Sequence, residues 1–260
     1  IQNDGTFSVV PRMRGGVTSA AELRRIAEVV DKYEIPMVKV TGGQRIDLLG
    51  VRKEQLPAVW EELGMPSGHA YAKAVRTVKT CVGSDFCRFG LGNSIALGIE
   101  LEAAMEGLYT PHKVKSAVTG CPRNCAEAYV KDIGLVAVEG GWEVYVGGAA
   151  GSTVRKGDLL TMASSSEAAK RAALAFLQYY RENAEYLERT YAFVERVGIS
   201  EVREAVLGDA EAALLERYRI AKAAADPDPW RERHAPVTPK QFAELDSEPE
   251  LVGPPAGGAR

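Results

Sequence analysis

The chain has 260 residues, 46% of them hydrophobic, with a formal charge of −3 and an isoelectric point near 5.8. That length and apolar content sustain one large core or two modest ones rather than a disordered chain, and a slightly acidic balance disfavours nucleic acid as a partner. No run approaches the roughly 18 apolar residues of a membrane span, and Ile1-Gln2-Asn3-Asp4-Gly5 has none of the features of a signal peptide, so a cytoplasmic protein without membrane attachment is expected. An initial Ile and an apolar segment starting at Phe7 suggest a piece of a longer polypeptide.

Ser19-Ala20-Ala21-Glu22 has the form of a capping box, and Leu23, Ile26, Ala27 and Val30 follow at helical spacing, which predicts a helix from about 19 to 33. Apolar runs at 37–41 and 45–50 around Gly42-Gly43 read as two strands joined by a turn, and a second helix is expected over 53–63. With a further strand at 74–79 the order fits a ferredoxin-like α+β unit of about 75 residues. Beyond it come a cysteine loop, a helix near 95–108, a strand at 114–119 and a second cysteine loop. A hairpin spans 133–146 around Glu139-Gly140-Gly141, and helices are expected near 167–187 and 200–224. After Asp226-Pro227-Asp228-Pro229 the composition turns to Pro, Gly and charge, as in an irregular arm. The expected fold class is α+β, with units at 1–75, 76–225 and 226–260.

Cys81 and Cys87 form a C-x5-C, and Cys121 and Cys125 a C-x3-C. Four soft thiolates from two loops suit an iron-sulfur cluster or a zinc ion, and the five-residue gap is wider than structural zinc knuckles use. Buried free thiols remain the bland alternative. Pro122 is suited to the first turn of a helix, which would place Cys121 and Cys125 on one face and aim backbone N–H groups at the cluster.

These cysteines resemble the cluster signature of the sirohaem-dependent nitrite and sulfite reductases, together with Thr119-Gly120-Cys121-Pro122-Arg123-Asn124-Cys125, Pro11-Arg12-Met13-Arg14-Gly15-Gly16 and Val40-Thr41-Gly42-Gly43-Gln44. The similarity extends to the carboxy-terminal part of the large subunit of NADH-dependent nitrite reductases. The resemblance implies a ferredoxin-like half domain, then a sirohaem and iron-sulfur domain with a helical carboxy-terminal tail. It implies that all four cysteines hold a 4Fe-4S cluster, and that Cys125 also lies against the sirohaem iron. It places Arg12, Arg76, Lys113 and Lys115 toward a bound anion, with Thr41, Gln44, Arg45 and Asn124 as candidates for the sirohaem periphery. Sirohaem carries eight carboxylates, so its pocket needs cations. Residues 1–131 hold 17 Lys and Arg against 14 Asp and Glu, and residues 132–260 hold 15 against 21.

The implied reaction is six-electron reduction of nitrite to ammonium, with arginines binding the anion and lysines also delivering protons. Sulfite reduction to sulfide is the nearest alternative, and a non-catalytic iron-sulfur or zinc protein a more distant one. No nucleotide fingerprint is present; Gly147-Gly148-Ala149-Ala150-Gly151 lacks the spacing. Electrons must therefore come from elsewhere, and the resemblance implies FAD and NADH only on parts of the enzyme outside this chain, on an electron-donating flavin domain or subunit. Many relatives carry two copies of this domain pair and this chain carries one, so a two-fold homodimer that shares its sites is expected, with a self-sufficient chain as the alternative. His69, His112 and His234 are read as structural or solvent-facing.

Overall fold

The computed structural model describes residues 2–70 and 73–225; the expected arm after Asp226, with His234, lies outside the described residues. Strand β1 (Phe7–Val9), helix α1 (Ala20–Lys32), strands β2 (Met37–Val40) and β3 (Ile46–Val51) and helix α2 (Leu56–Leu63) build the first unit. Its antiparallel sheet has the order β1-β3-β2. The capping box forms as the sequence predicts: Ser19 Oγ accepts from Glu22 N at 3.2 Å, and Ser19 N donates to Glu22 Oε2 at 2.9 Å. Ile26 and Val29 of α1 and Val59 and Leu63 of α2 pack on Val9, Leu48 and Val51 of the sheet.

The second unit is a five-stranded sheet of order β10-β7-β6-β5-β4. Its strands are β4 (Lys79–Thr80), β5 (Ser116–Thr119), β6 (Ile133–Val138), β7 (Gly141–Val146) and β10 (Asp158–Ala163), with the short pair β8 (Ala149–Ala150) and β9 (Val154–Arg155) lying apart. The β4–β5 and β5–β6 pairs are parallel and the others antiparallel. Helices α3 (Gly83–Phe86) and α4 (Ser94–Met105) connect β4 to β5. Alternation sends Val118, Leu135 and Val144 to the main core under the helices, and Ala117, Val136 and Tyr145 to a smaller cluster on the other face. Helices α5 (Ser166–Asn183), α6 (Thr190–Val197), α7 (Ile199–Val206) and α8 (Asp209–Ala224) complete the main core. Among the described residues no helix is long and apolar enough to cross a membrane.

Three expectations are corrected. The strand foreseen at 74–79 is not part of the first sheet: Ala74 and Val75 make isolated bridges to Tyr109 and Val114, and Lys79–Thr80 forms the edge of the second sheet. Cys121 to Cys125 is not helical. Asn124 N donates to Cys121 O at 3.2 Å and Asn124 then takes a left-handed φ of 57°, which turns the chain instead of continuing a helix. The long helix foreseen at 200–224 breaks at Gly208, whose φ of 65° separates α7 from α8.

The two units meet through one fully buried ion pair and a second whose arginine is exposed. Arg12, from the first unit, donates to Glu102 on α4 at 2.7 Å, with both side chains fully buried. Glu102 also accepts from Gly15 N and Val78 N, each at 2.9 Å. Arg14 pairs with Glu106 at 2.7 Å, and Lys222 of α8 donates to the Glu106 carbonyl.

Candidate functional site

All four cysteines line one cavity of about 430 Å³, together with Gly16, Gln44, Thr80 and Arg123. Cys121 is buried, Cys81 and Cys87 are partly covered and Cys125 is exposed; all four are free thiols. Backbone hydrogen bonds stitch the two cysteine loops together: Leu91 N and Gly92 N both donate to Gly120 O, at 2.7 and 3.2 Å. The approach is so close that a Cβ on Gly120 would stand 2.7 Å from Gly83 Cα. Gly83 takes a φ of 56°, which lets the chain turn directly after Cys81-Val82.

Donors surround the Cys81 sulfur. Gly120 N reaches it at 3.1 Å and Thr119 Oγ1 at 3.6 Å, with Ser94 Oγ at 3.3 Å. Burial alone would raise this thiol; the hydrogen bonds from Ser94, Gly120 N, Thr119 and Gly83 N outweigh it and hold Cys81 below the usual thiol value. Such donors favour thiolate, the ligating form. Among the described residues no three Cys, His, Asp or Glu side chains converge closely enough to hold a single metal ion. A zinc ion would need each sulfur at about 2.3 Å. A cubane instead spreads its ligands over separate corners, and four thiols distributed around one cavity fit that donor set.

The expected anion-facing cations do not gather at this cavity. Lys113 and Lys115 flank the buried Val114 and line a second cavity of about 340 Å³, with Lys131, Asp132, Arg189 and the 148–153 loop. Asp132, buried at its base, accepts from Lys115 N at 2.8 Å and pairs with Arg189 at 3.1 Å. The ammonium of Lys115 is held below its ordinary value of 10.5, first by lost hydration, then by Lys113 and Arg189. His112 lines the same cavity, and its Nδ1 accepts from Lys113 N at 2.7 Å. Arg12 is committed at the junction between units, donating to Ser67 O at 2.9 Å besides Glu102 and contacting His69 Nδ1 at 3.1 Å. Arg76 is half-buried, its backbone N donating to Val114 O at 2.9 Å, with its charge acting on Asp47.

The proposed periphery is divided as well. Gln44 lines the cysteine cavity, but its amide is engaged by the backbone of Thr80. Thr41 closes the turn that carries Gln44, Thr41 N donating to Arg45 O at 2.9 Å. Arg45 Nη1 is buried without a hydrogen-bond acceptor among the described residues, a cost that a carboxylate-bearing ligand would relieve. Asn124 shapes the second cysteine turn, its Oδ1 accepting from Tyr129 N at 3.4 Å. Arg123, inside the C-x3-C, was not singled out by the sequence; it lines the cysteine cavity and stacks 3.9 Å from the Phe89 ring. Arg189 and Asp132 were missed because no local pattern links them to Lys115.

Residues 71–213 match the nitrite and sulphite reductase 4Fe-4S domain, and residues 1–66 the nitrite/sulfite reductase ferredoxin-like half domain. This chain belongs to the nitrite and sulfite reductase family. It is 60% identical over 233 residues to the nitrite reductase [NAD(P)H] of Bacillus subtilis (strain 168), covering 89% of this chain and 29% of that protein. It is 40% identical over 203 residues to the assimilatory-type sulfite reductase of Nitratidesulfovibrio vulgaris, covering 78% of this chain and 93% of the relative. The fold is similar to that of the Mycobacterium tuberculosis NirA protein, with a TM-score of 0.70 at 18% identity over 81% of this chain and 40% of that one. The chain thus spans under a third of the Bacillus nitrite reductase it matches.

Proposed function

We propose that this chain is the catalytic part of a larger NADH-dependent nitrite reductase, reducing nitrite to ammonium by six electrons. Cys81, Cys87, Cys121 and Cys125 would hold a 4Fe-4S cluster, with Cys125 also facing a sirohaem. The observation that carries this reading is the single cavity that all four cysteines line, with their two loops tied backbone to backbone. When bound, cluster and sirohaem would supply the electron path and the metal at which nitrite is reduced. FAD and NADH would act on parts of the enzyme outside this chain.

Lys113 and Lys115 would draw in the anion and polarise its N–O bonds. Reduction consumes protons as well as electrons, and a lysine held below its ordinary pKa gives up its Nζ proton more readily than a guanidinium. Arg189, anchored on Asp132, would keep charge at the cavity base. Arg76 would add charge beside Arg45, whose buried nitrogen suits a sirohaem carboxylate. Arg12 would act through the fold, by joining the two units.

The lysines and the cysteines line separate cavities, which supports a two-fold homodimer in which the cysteines of one subunit face the cations of the other. Mixing a Cys125→Ala chain with a Lys113→Ala chain should restore part of the activity through the one intact site of the mixed dimer. No recovery in a mixed dimer argues for sites built within one chain.

Sulfite is the second reading, favoured by the near-complete coverage of an assimilatory-type sulfite reductase. Steady-state turnover with an artificial reductant decides between them: kcat/KM should be higher for nitrite, and the reverse preference would assign the chain to sulfite.

A further inference from the structure

Among the described residues strand β4 is the edge of its sheet, so on the side away from β5 its backbone groups have no described strand to pair with. The Gln44 carboxamide takes that place: its Nε2 donates to Thr80 O at 2.7 Å and its Oε1 accepts from Thr80 N at 2.9 Å. A primary amide carries a donor and an acceptor side by side, so it reproduces the two-point contact of a neighbouring strand residue. Gln44 is held for this at a left-handed φ of 57°, with its N donating to Thr41 O at 3.0 Å. Room for the side chain comes from Gly16, where a Cβ would stand 2.7 Å from Gln44 Oε1. A third bond joins Thr80 Oγ1 to Gly15 O at 2.6 Å. The residue immediately before Cys81 is thus fastened to the first unit from two loops.

We propose that Gln44 is a positioning residue: its clamp on Thr80 sets where Cys81 stands relative to the other three cysteines, so the first unit controls the seat of the cluster. The proposal rests on the reading of the cysteine cavity given above. Cluster potential and electronic structure depend on ligand geometry, hydrogen bonds to sulfur and solvent access, all of which change if the β4–Cys81 segment is released.

The test uses hydrogen exchange and the spectra of the cluster-loaded protein. In the unmodified protein the Thr80 amide should exchange as slowly as amides within the sheet ladder. Gln44→Ala should accelerate that exchange. Gln44→Glu keeps the length but sets a carboxylate oxygen against Thr80 O, and should do the same. Both variants should bind iron with a shifted reduction potential and an altered paramagnetic resonance spectrum of the reduced cluster. A freely exchanging Thr80 amide in the unmodified protein overturns the proposal, and this measurement stands even where a variant fails to fold. Folded variants whose potential and spectrum match those of the unmodified protein overturn it too. If the unmodified protein binds no iron, the cofactor reading fails, whereas Thr80 exchange still decides the clamp.

Discussion

In the proposed reaction, the two roles of Lys115 pull against each other. Attraction of an anion needs the ammonium, while delivery of a proton needs an ammonium that releases it. The cavity reconciles them by lowering the pKa through lost hydration and the charges of Lys113 and Arg189. The sign follows directly: as pH rises through this lowered pKa the positive charge is lost, so kcat/KM for nitrite should fall on the alkaline side below the 10.5 of an ordinary lysine. Lys115→Arg should remove that limb, because a guanidinium stays charged, while lowering kcat more than it raises KM. An unchanged alkaline limb in this variant would assign it to another group. The two-residue spacing of Lys113 and Lys115 in the sequence is enough to put both on one face wherever the chain is extended. It could not show which cavity that face lines. That depends on Asp132 and Arg189, residues far along the chain brought in by β6 and the start of α6.

Among the elements, those with local causes were legible. The capping box predicted α1, and the Gly140-Gly141 turn predicted the β6–β7 hairpin. What the sequence concealed was decided by contacts or by single backbone angles. Helix α6 is only eight residues long and strand β10 lacks a clean apolar/polar alternation, so neither stands out in the sequence; they are held by the main core and by pairing with β7. Pro122 suggested a helix start, but Asn124 at positive φ makes a turn. A close approach between α4 and β4 was likewise hidden: a Cβ on Gly98 would stand 2.3 Å from Thr80 Cγ2. Gly98→Ala should therefore cost about 1–3 kcal/mol by overpacking, read as a lowered denaturation midpoint, and should reduce cluster occupancy by displacing β4. A variant as stable as the unmodified protein, with full iron content, would show that β4 can yield without consequence.

For the molecule as a whole, the junction between units matters most. Arg12, read from the sequence as an anion-binding residue, has its partner 90 residues away at Glu102, a relation no local pattern reveals. Removing one member of a fully buried pair strands the other charge, so Arg12→Ala should destabilise the protein by about 3–5 kcal/mol, measured by urea denaturation. A folded, fully stable variant with only a raised KM would return Arg12 to substrate binding. His69 belongs to the same junction. Burial, then Arg12 and Lys222, lower its pKa from 6.5 to about 3. The folded state keeps it neutral while the unfolded chain protonates it, so this contribution to stability is present above pH 6.5 and lost as pH falls toward about 3. His69→Asn, which tolerates the left-handed φ of 45° at this position, should flatten the stability profile across that window. An equally steep profile would place the acid sensitivity elsewhere.

The most direct measurement is the iron and acid-labile sulfide content of anaerobically purified protein, together with its visible spectrum and its low-temperature paramagnetic resonance after reduction. A 4Fe-4S signal and intense sirohaem bands are expected, with the cluster signal abolished when any of Cys81, Cys87, Cys121 or Cys125 is changed to Ser. A protein that binds zinc in place of iron, or one whose cluster survives the loss of two of these cysteines, would contradict it.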